Sequence, residues 1–242
     1  MQRRISPVTL PNGIAGATEE YLSRSLRPGT SPHCPARDAA SLVILDDTGG
    51  EPRFLMGRRR GSHVFLPGVL VFPGGRVEPR DYRLKARENF APALAGKLAA
   101  RSRARHPAAF ARALAGAALR EAYEETGFLA PGCDAWGNGA DLRRLSFIAR
   151  AITPAKRPRR FDTRFFGLLC RGSAPTLHAG DGELEDVGWY ALSALARQDL
   201  HVVSRAVIET MMGRLGAGRL DDPHTPVPFL FARGSSFQRG FV

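Results

Sequence analysis

Glu121, Glu124 and Glu125 fall at i, i+3 and i+4 in the run Arg120-Glu121-Ala122-Tyr123-Glu124-Glu125-Thr126-Gly127. On a helix those offsets put all three carboxylates on one face. Three like charges so close repel one another unless a cation lies among them, and a hard divalent ion with oxygen ligands, Mg²⁺ or Mn²⁺, meets that need. Arg120 stands four residues before Glu124 and can hold that carboxylate in a fixed rotamer. A solvated acidic helix face would also read this way. Against that stands Phe72-Pro73-Gly74-Gly75 upstream, where two residues without side chains let the backbone approach a ligand and leave the Gly74 carbonyl available to a metal.

The elements that must carry these residues can be read from patterning. Ala39 to Leu45 is a compact apolar run closed by Asp46-Asp47-Thr48-Gly49-Gly50, which predicts a buried strand and a hairpin returning through Arg53–Met56. A further strand is expected at Val69–Phe72, leading into the glycine turn. Alanine- and arginine-rich sequence from 82 to 109, broken by Pro92 and Pro107, predicts helices between 85 and 105. A stronger helix is expected from Pro107 to Thr126, with Phe110, Leu114, Ala117, Ala118 and Ala122 near helical spacing and Gly127 as its stop. Later strands are predicted at Leu145–Thr153, Thr163–Cys170 and Val187–Tyr190, then a helix over 200–215 and a polar, glycine-containing tail. Residues 1–38, with five prolines, read as an irregular arm with a short helix near Glu19–Leu26, and 39–242 as one domain. Strands mixed with two principal helices imply an α/β sandwich.

Composition bounds the partners. No apolar run reaches the ~18 residues a membrane span needs, and the first residues have arginines without a following apolar core, so neither a membrane partner nor a signal peptide is expected. Net charge is +12, and of 35 basic residues only Lys85, Lys97 and Lys156 are lysines. Such heavy arginine use fits either a GC-rich coding sequence or an anionic partner, whose phosphate oxygens the guanidinium fork suits. Cys34, Cys133 and Cys170 are far apart and form no CxxC, which argues against a disulfide framework and for a reducing cytoplasm. Candidate phosphate clamps are Arg58, Arg59 and Arg60 after the second strand, and Arg160 and Arg164 beside Phe161, Phe165 and Phe166. Glu183, Glu185 and Asp186 are candidate extra ligands or bases, although a solvated loop explains them as readily. His63, His178 and His201 have no ligand-like spacing.

Together the glycine turn and the glutamate helix resemble the box of the Nudix hydrolase superfamily, G-x5-E-x7-R-E-U-x-E-E-x-G-U. Gly75 supplies its first glycine, and Arg120, Glu121, Glu124, Glu125, Gly127 and Phe128 its second half. Ala122 stands where a bulky apolar residue is usual, and Asp81 where the outer glutamate is usual. Between Asp81 and Arg120 lie 38 residues where the pattern has seven, an insertion of 31. A long insert here, with Phe65-Leu66-Pro67-Gly68 and the run Ile152 to Phe166, is similar to the peroxisomal coenzyme A diphosphatases and their bacterial relatives. The resemblance implies an α/β/α sandwich and metal-dependent cleavage of a diphosphate linkage in a nucleoside diphosphate derivative. Glu124 and Glu125 would bind the metal directly with help from the Gly74 carbonyl, while Glu121 binds through water or orients the nucleophile. Asp81 would be a shorter stand-in for the outer glutamate, unless Glu78 or Glu88 takes that place. Arg120, Glu121 and Glu124 form the expected catalytic set. Coenzyme A or acyl-CoA is the first substrate to consider, although Val64 occupies the place of an arginine in the CoA-cleaving signature. ADP-ribose, NADH, a nucleotide sugar, or nucleotide or RNA binding without catalysis are the alternatives, and a homodimer is compatible with all of them. The insert at about 82–109 is expected to shape substrate choice through its arginines rather than to break the bond.

Overall fold

The computed structural model describes residues 9–24, 34–61, 67–170, 177 and 180–242. His63, Val64, Phe65, Leu66 and His178, with much of the N-terminal arm, lie outside them.

Strand β1 (Arg37–Asp46) is buried along eight consecutive residues because it is covered on both sides. Its side chains alternate: Leu42 and Ile44 join one apolar cluster, Val43 and Leu45 the other. Around it runs a nine-stranded mixed sheet with β2 (Arg53–Arg59), β3 (Leu70–Val71), β4 (Gly74–Arg76), β5 (Ser146–Ile152), β6 (Phe161–Leu169), β7 (Leu184–Ala191), β8 (Pro228–Arg233) and β9 (Ser236–Phe241). Its main order is β3-β2-β1-β6-β5-β8-β9, with β4 paired to β1 and β7 to β2. The β1–β6 and β5–β8 pairs are parallel; the rest are antiparallel.

Among the described residues there are five α-helices, α1 (Ala17–Ser23), α2 (Pro92–Ala99), α3 (Pro107–Thr126), α4 (Leu192–Leu195) and α5 (Val202–Gly216), and two 3₁₀ turns, Pro79–Arg83 and Leu142–Arg144. Helix α3 begins at Pro107, whose missing N–H is no loss there, and ends where Gly127 takes a left-handed conformation with φ 70° and its N–H closes on Tyr123 O at 2.8 Å. It packs Phe110, Leu114 and Ala118 on one face of the sheet, while α5 packs Val207, Ile208 and Met211 on the other. The α/β/α sandwich expected from the sequence is the observed architecture.

The polar, glycine-containing tail carries two strands that patterning did not predict: Arg233 pairs with Ser236 across Gly234-Ser235, so β8 and β9 form a tight hairpin that extends the sheet. The insert packs on the core. Leu98 and Phe90 are buried in the cluster with α3, Phe90 stacks on Phe166 at 5.8 Å, and Lys97 Nζ donates to Pro223 O at 2.6 Å. The arm's helix, α1, sits against α5, where Glu209 accepts from Gly16 N, Thr18 N and Thr18 Oγ1.

Candidate active site

Strand β4 brings the glycine turn beside β1, with Ser41 opposite Gly74 and Ala40 opposite Gly75. Both positions demand glycine through close approach. A Cβ on Gly74 would meet the β1 backbone, and one on Gly75 would collide with the Glu121 carboxylate. The turn thus lies directly against the acidic face of α3.

Arg120 organises that face. Its guanidinium is only 2% exposed and every arm is used. Nε and Nη2 donate to the two oxygens of Asp81 at 2.9 and 3.2 Å, Nη1 donates to Glu121 Oε1 and Glu124 Oε2 at 2.8 Å each, and Nη2 also reaches Arg76 O at 3.2 Å. Burial alone would lower the Arg120 pKa, but Asp81 and Glu121 hold it above the ordinary arginine value, so the side chain is a fixed cation. Asp81 closes a second contact by accepting from Glu78 N at 2.7 Å. Both oxygens of Asp81 are therefore engaged with Arg120 and Glu78 N, which fixes the guanidinium in place. Gly116, on α3, lets the Asp81 backbone lie against the helix; a Cβ there would be 3.1 Å from Asp81 O.

Glu125 lies deepest and accepts from Gly74 N at 2.8 Å. Burial pushes its pKa well above the ordinary carboxylate range, and the charges of Glu121 and Glu183 add to the rise, against the Gly74 hydrogen bond and the charge of Arg59. Glu121 is raised as well, first by burial and then by Glu124 and Glu183, while Arg120 opposes. The charge of Glu183 thus acts on both carboxylates. Its loop is fastened to the end of α3, where Asp181 N donates to Glu124 O at 2.8 Å, and Gly180 presses so closely on Glu125 O that no Cβ would fit.

The candidate arginines separate. Of the three after β2, Arg59 points to the carboxylates: its charge acts on Glu125, and its buried Nε has no hydrogen-bond partner. Arg58 instead contacts Gly68 O, Gln198 and Asp186, and Arg60 pairs with Glu185 at 2.9 Å. Glu185 and Asp186 are thereby accounted for outside the site. Arg160 clamps a loop through Thr153 O, Pro154 O and Cys34 O. Arg164 is wholly buried between Asp38 and Asp162, over the Phe110 ring. Neither is brought to the glutamates. Glu88 also lies elsewhere, bridged to Asp141 and paired with Arg143. Glu78 is nearer, between Arg76 and Arg80, whose charges with that of Arg120 hold its pKa down against burial.

One residue escaped the sequence reading. Arg80 binds Glu78 at 2.8 Å and reaches Glu124 Oε1 at 3.3 Å. Its place one residue before Asp81 was the only sequence signal, and an arginine among so many carries little information. His201 proves structural: its Nδ1 caps α5 by accepting from Val203 N at 3.3 Å.

The residues of the resemblance therefore meet in space, around one buried arginine and one glycine turn. A curated protein, nudix hydrolase 7 of Caenorhabditis elegans, is 26% identical over 178 residues, 63% of this chain and 50% of its own length. The chain is thus similar in sequence to a Nudix hydrolase. It spans about half the length of that curated relative. No family model matches the chain. Among solved Nudix structures, a hydrolase from Alicyclobacillus acidocaldarius is 29% identical, with 64% of this chain and 79% of that one covered and a TM-score of 0.48. The Nudix domain of Shewanella oneidensis NrtR, solved with ADP ribose, is 14% identical, with 75% and 90% covered and a TM-score of 0.48.

Proposed function

We propose that this chain is an enzyme that hydrolyses a diphosphate linkage in a nucleoside diphosphate derivative, using a divalent metal ion, Mg²⁺ or Mn²⁺. The observation that carries the reading is the placing of Glu121 and Glu125 against the Gly74-Gly75 turn, with Glu124 joined to Glu121 through the buried Arg120. Among the described residues, no three acidic, histidine or cysteine side chains are already arranged as a metal cage. The donor set still fits, since it is made wholly of oxygens and its two buried members resist ionisation until positive charge is added.

Glu121, Glu124 and Glu125 are the residues that would hold the ion, with the Gly74 carbonyl beside them and Glu183 as a further acid. Bound there, the ion supplies charge neutralisation and a more acidic water. The chain's own part is to hold these groups still. Arg120 fixes the rotamers of Glu121 and Glu124, Asp81 fixes Arg120, and Gly74 N fixes Glu125. Glu121, next to the turn, is the acid placed to orient an attacking water, in line with the departing oxygen. Arg59, with a buried Nε still to be satisfied, is the phosphate contact retained from the five candidate arginines.

Coenzyme A or an acyl-CoA is the first substrate to test, and ADP-ribose, NADH and nucleotide sugars come next. A chain that binds nucleotide without cleaving it is the competing reading, favoured by the neutralisation that Arg120 already gives Glu121 and Glu124. Among the described residues no helix is long and apolar enough to cross a membrane, and cytoplasmic residence is part of the proposal.

The kinetics of Glu124→Gln and Glu125→Gln separate these readings. Each variant removes a charged ligand and little volume. Turnover is expected to fall by roughly two to three orders of magnitude at saturating Mg²⁺ with the fold intact, about 3–4 kcal/mol of barrier. Near-normal turnover in either variant would refute the metal assignment, and nucleotide binding without turnover in the parent chain would establish the binder.

A further inference from the structure

Trp136 is the largest exposed aromatic side chain among the described residues, 54% exposed, and it is not on a slack loop. Asp134 accepts from Trp136 N, Asn138 N and Asn138 Nδ2 at 2.8, 2.9 and 3.0 Å, so the turn that presents the indole is bonded to itself. Asn138 Oδ1 in turn accepts from Lys85 N at 3.0 Å, which ties the turn to the chain following Asp81. On its other side Gly137, at φ 79°, packs so closely on α3 that a Cβ would lie 3.0 Å from that of Leu119. The turn that carries the indole is thus tied to both segments that build the candidate active site.

Arg80 links the two places. Its guanidinium lies 5.1 Å from the centre of the Trp136 ring, within the range of a cation–π contact, while Nη2 reaches Glu124 and Nε is held by Glu78. One arginine side chain therefore separates an exposed, fixed aromatic face from the carboxylate face of α3. An indole so exposed buries little apolar area in the free protein, and its rigidity lowers the entropy cost of receiving a flat partner. A planar, π-electron-rich group stacks on such a face whatever its sequence of donors and acceptors, and a guanidinium plane at its edge extends the platform.

We propose that Trp136, with Arg80 at its edge, is the seat of the substrate's nucleobase, placing the base on the indole and the diphosphate beyond Arg80 at the glutamates. This rests on the proposed hydrolysis of nucleoside diphosphate derivatives and adds the specificity-determining group: the enzyme selects substrates that carry a base, a purine best because it covers the most indole. The insert's contribution to substrate choice is then made at its threshold, by Arg80 and the segment bonded to Asn138, and not by the arginines of its helical part.

The chain has two tryptophans, Trp136 and Trp189, so a Trp189→Phe background leaves Trp136 as the only indole. In that protein, adenosine monophosphate in EDTA is expected to quench the fluorescence saturably, and ribose 5-phosphate to leave it unchanged. In otherwise unaltered protein, Trp136→Leu is expected to raise KM for ADP-ribose about tenfold, equal to about 1.4 kcal/mol, with kcat within about twofold. Trp136→Phe should restore most of the loss, and inorganic pyrophosphate should show no difference among the three proteins as an inhibitor. Equal quenching by the base-free phosphate, no quenching by adenosine monophosphate, or an unchanged KM in Trp136→Leu would overturn the assignment. Should the parent chain hydrolyse none of these diphosphates, the proposed activity fails, while the quenching experiment still decides whether the indole receives a base.

Discussion

Asp81 shows how far a residue's role can depart from its position in a motif. Read along the chain, it is a shorter stand-in for the outer glutamate, with Glu78 and Glu88 as alternatives. In the structure its short side chain is what lets it lie against Gly116 and offer both oxygens to Arg120. Asp81→Asn keeps the volume but leaves one of those contacts without an acceptor. Breaking a buried pair costs about 3–5 kcal/mol, and the lower end is expected because Arg120 retains Glu121 and Glu124. Denaturant unfolding should therefore show a loss of about 3 kcal/mol, with turnover falling less than in Glu124→Gln. A turnover loss equal to that of Glu125→Gln without loss of stability would make Asp81 a direct participant. Asp81→Glu should also destabilise, since the extra methylene has no room beside Gly116. Arg120, Glu121, Glu124, Glu125 and the two glycines were legible because their chemistry needs fixed spacing on one helix and one turn. Arg59 could not be told from Arg58 and Arg60 by sequence, because three consecutive arginines differ only in the partners the fold gives them, Asp186 for Arg58 and Glu185 for Arg60.

At the scale of elements, helix α3 was readable end to end because both of its signals are local: a proline at the first turn and a glycine after the last. The β8–β9 hairpin was not, since its apolar content is spread over Phe229, Phe231, Phe237 and Phe241 among arginines and glycines, and its partner β5 is some 80 residues away in sequence. The insert was recognised as helical, but sequence could not say which way it turns. Since Leu98 is fully buried with α3, Leu98→Ala should cost about 2–5 kcal/mol, measured by denaturant unfolding, while kcat per folded molecule stays within about twofold. A collapse of kcat in folded Leu98→Ala protein would return the insert to the chemistry. His201 gives α5 a pH signature. Burial pushes its pKa from 6.5 down to about 4, so the folded state favours the neutral imidazole that accepts from Val203 N. This stabilisation is complete above the unfolded value and is lost as the pH falls from 6.5 through 4. Thermal unfolding across that interval should steepen in the parent chain and flatten in His201→Asn, which keeps a cap acceptor that does not titrate. Parallel pH profiles for the two proteins would show that folding leaves the His201 pKa unshifted and contradict this.

For the whole molecule, the net charge of +12 attracts any anion and does not by itself choose a substrate. Some of the arginines are internal to the fold: Arg150 holds both oxygens of Asp162, Arg164 lies buried between Asp38 and Asp162, and Arg214 donates to Phe147 O and Pro226 O. What remains specific is one face of α3 set against one glycine turn, which the sandwich holds in place from both sides of β1. That arrangement is tested most directly by incubating the chain with acyl-CoA, ADP-ribose, dinucleotides and capped RNA in ¹⁸O-labelled water, with Mg²⁺, with Mn²⁺ or with EDTA, and weighing the products. Cleavage of at least one diphosphate is expected with either ion, with a single ¹⁸O atom in one of the two phosphate products and no reaction in EDTA. Absence of metal-dependent cleavage across the panel, or full-rate cleavage in EDTA, would contradict it.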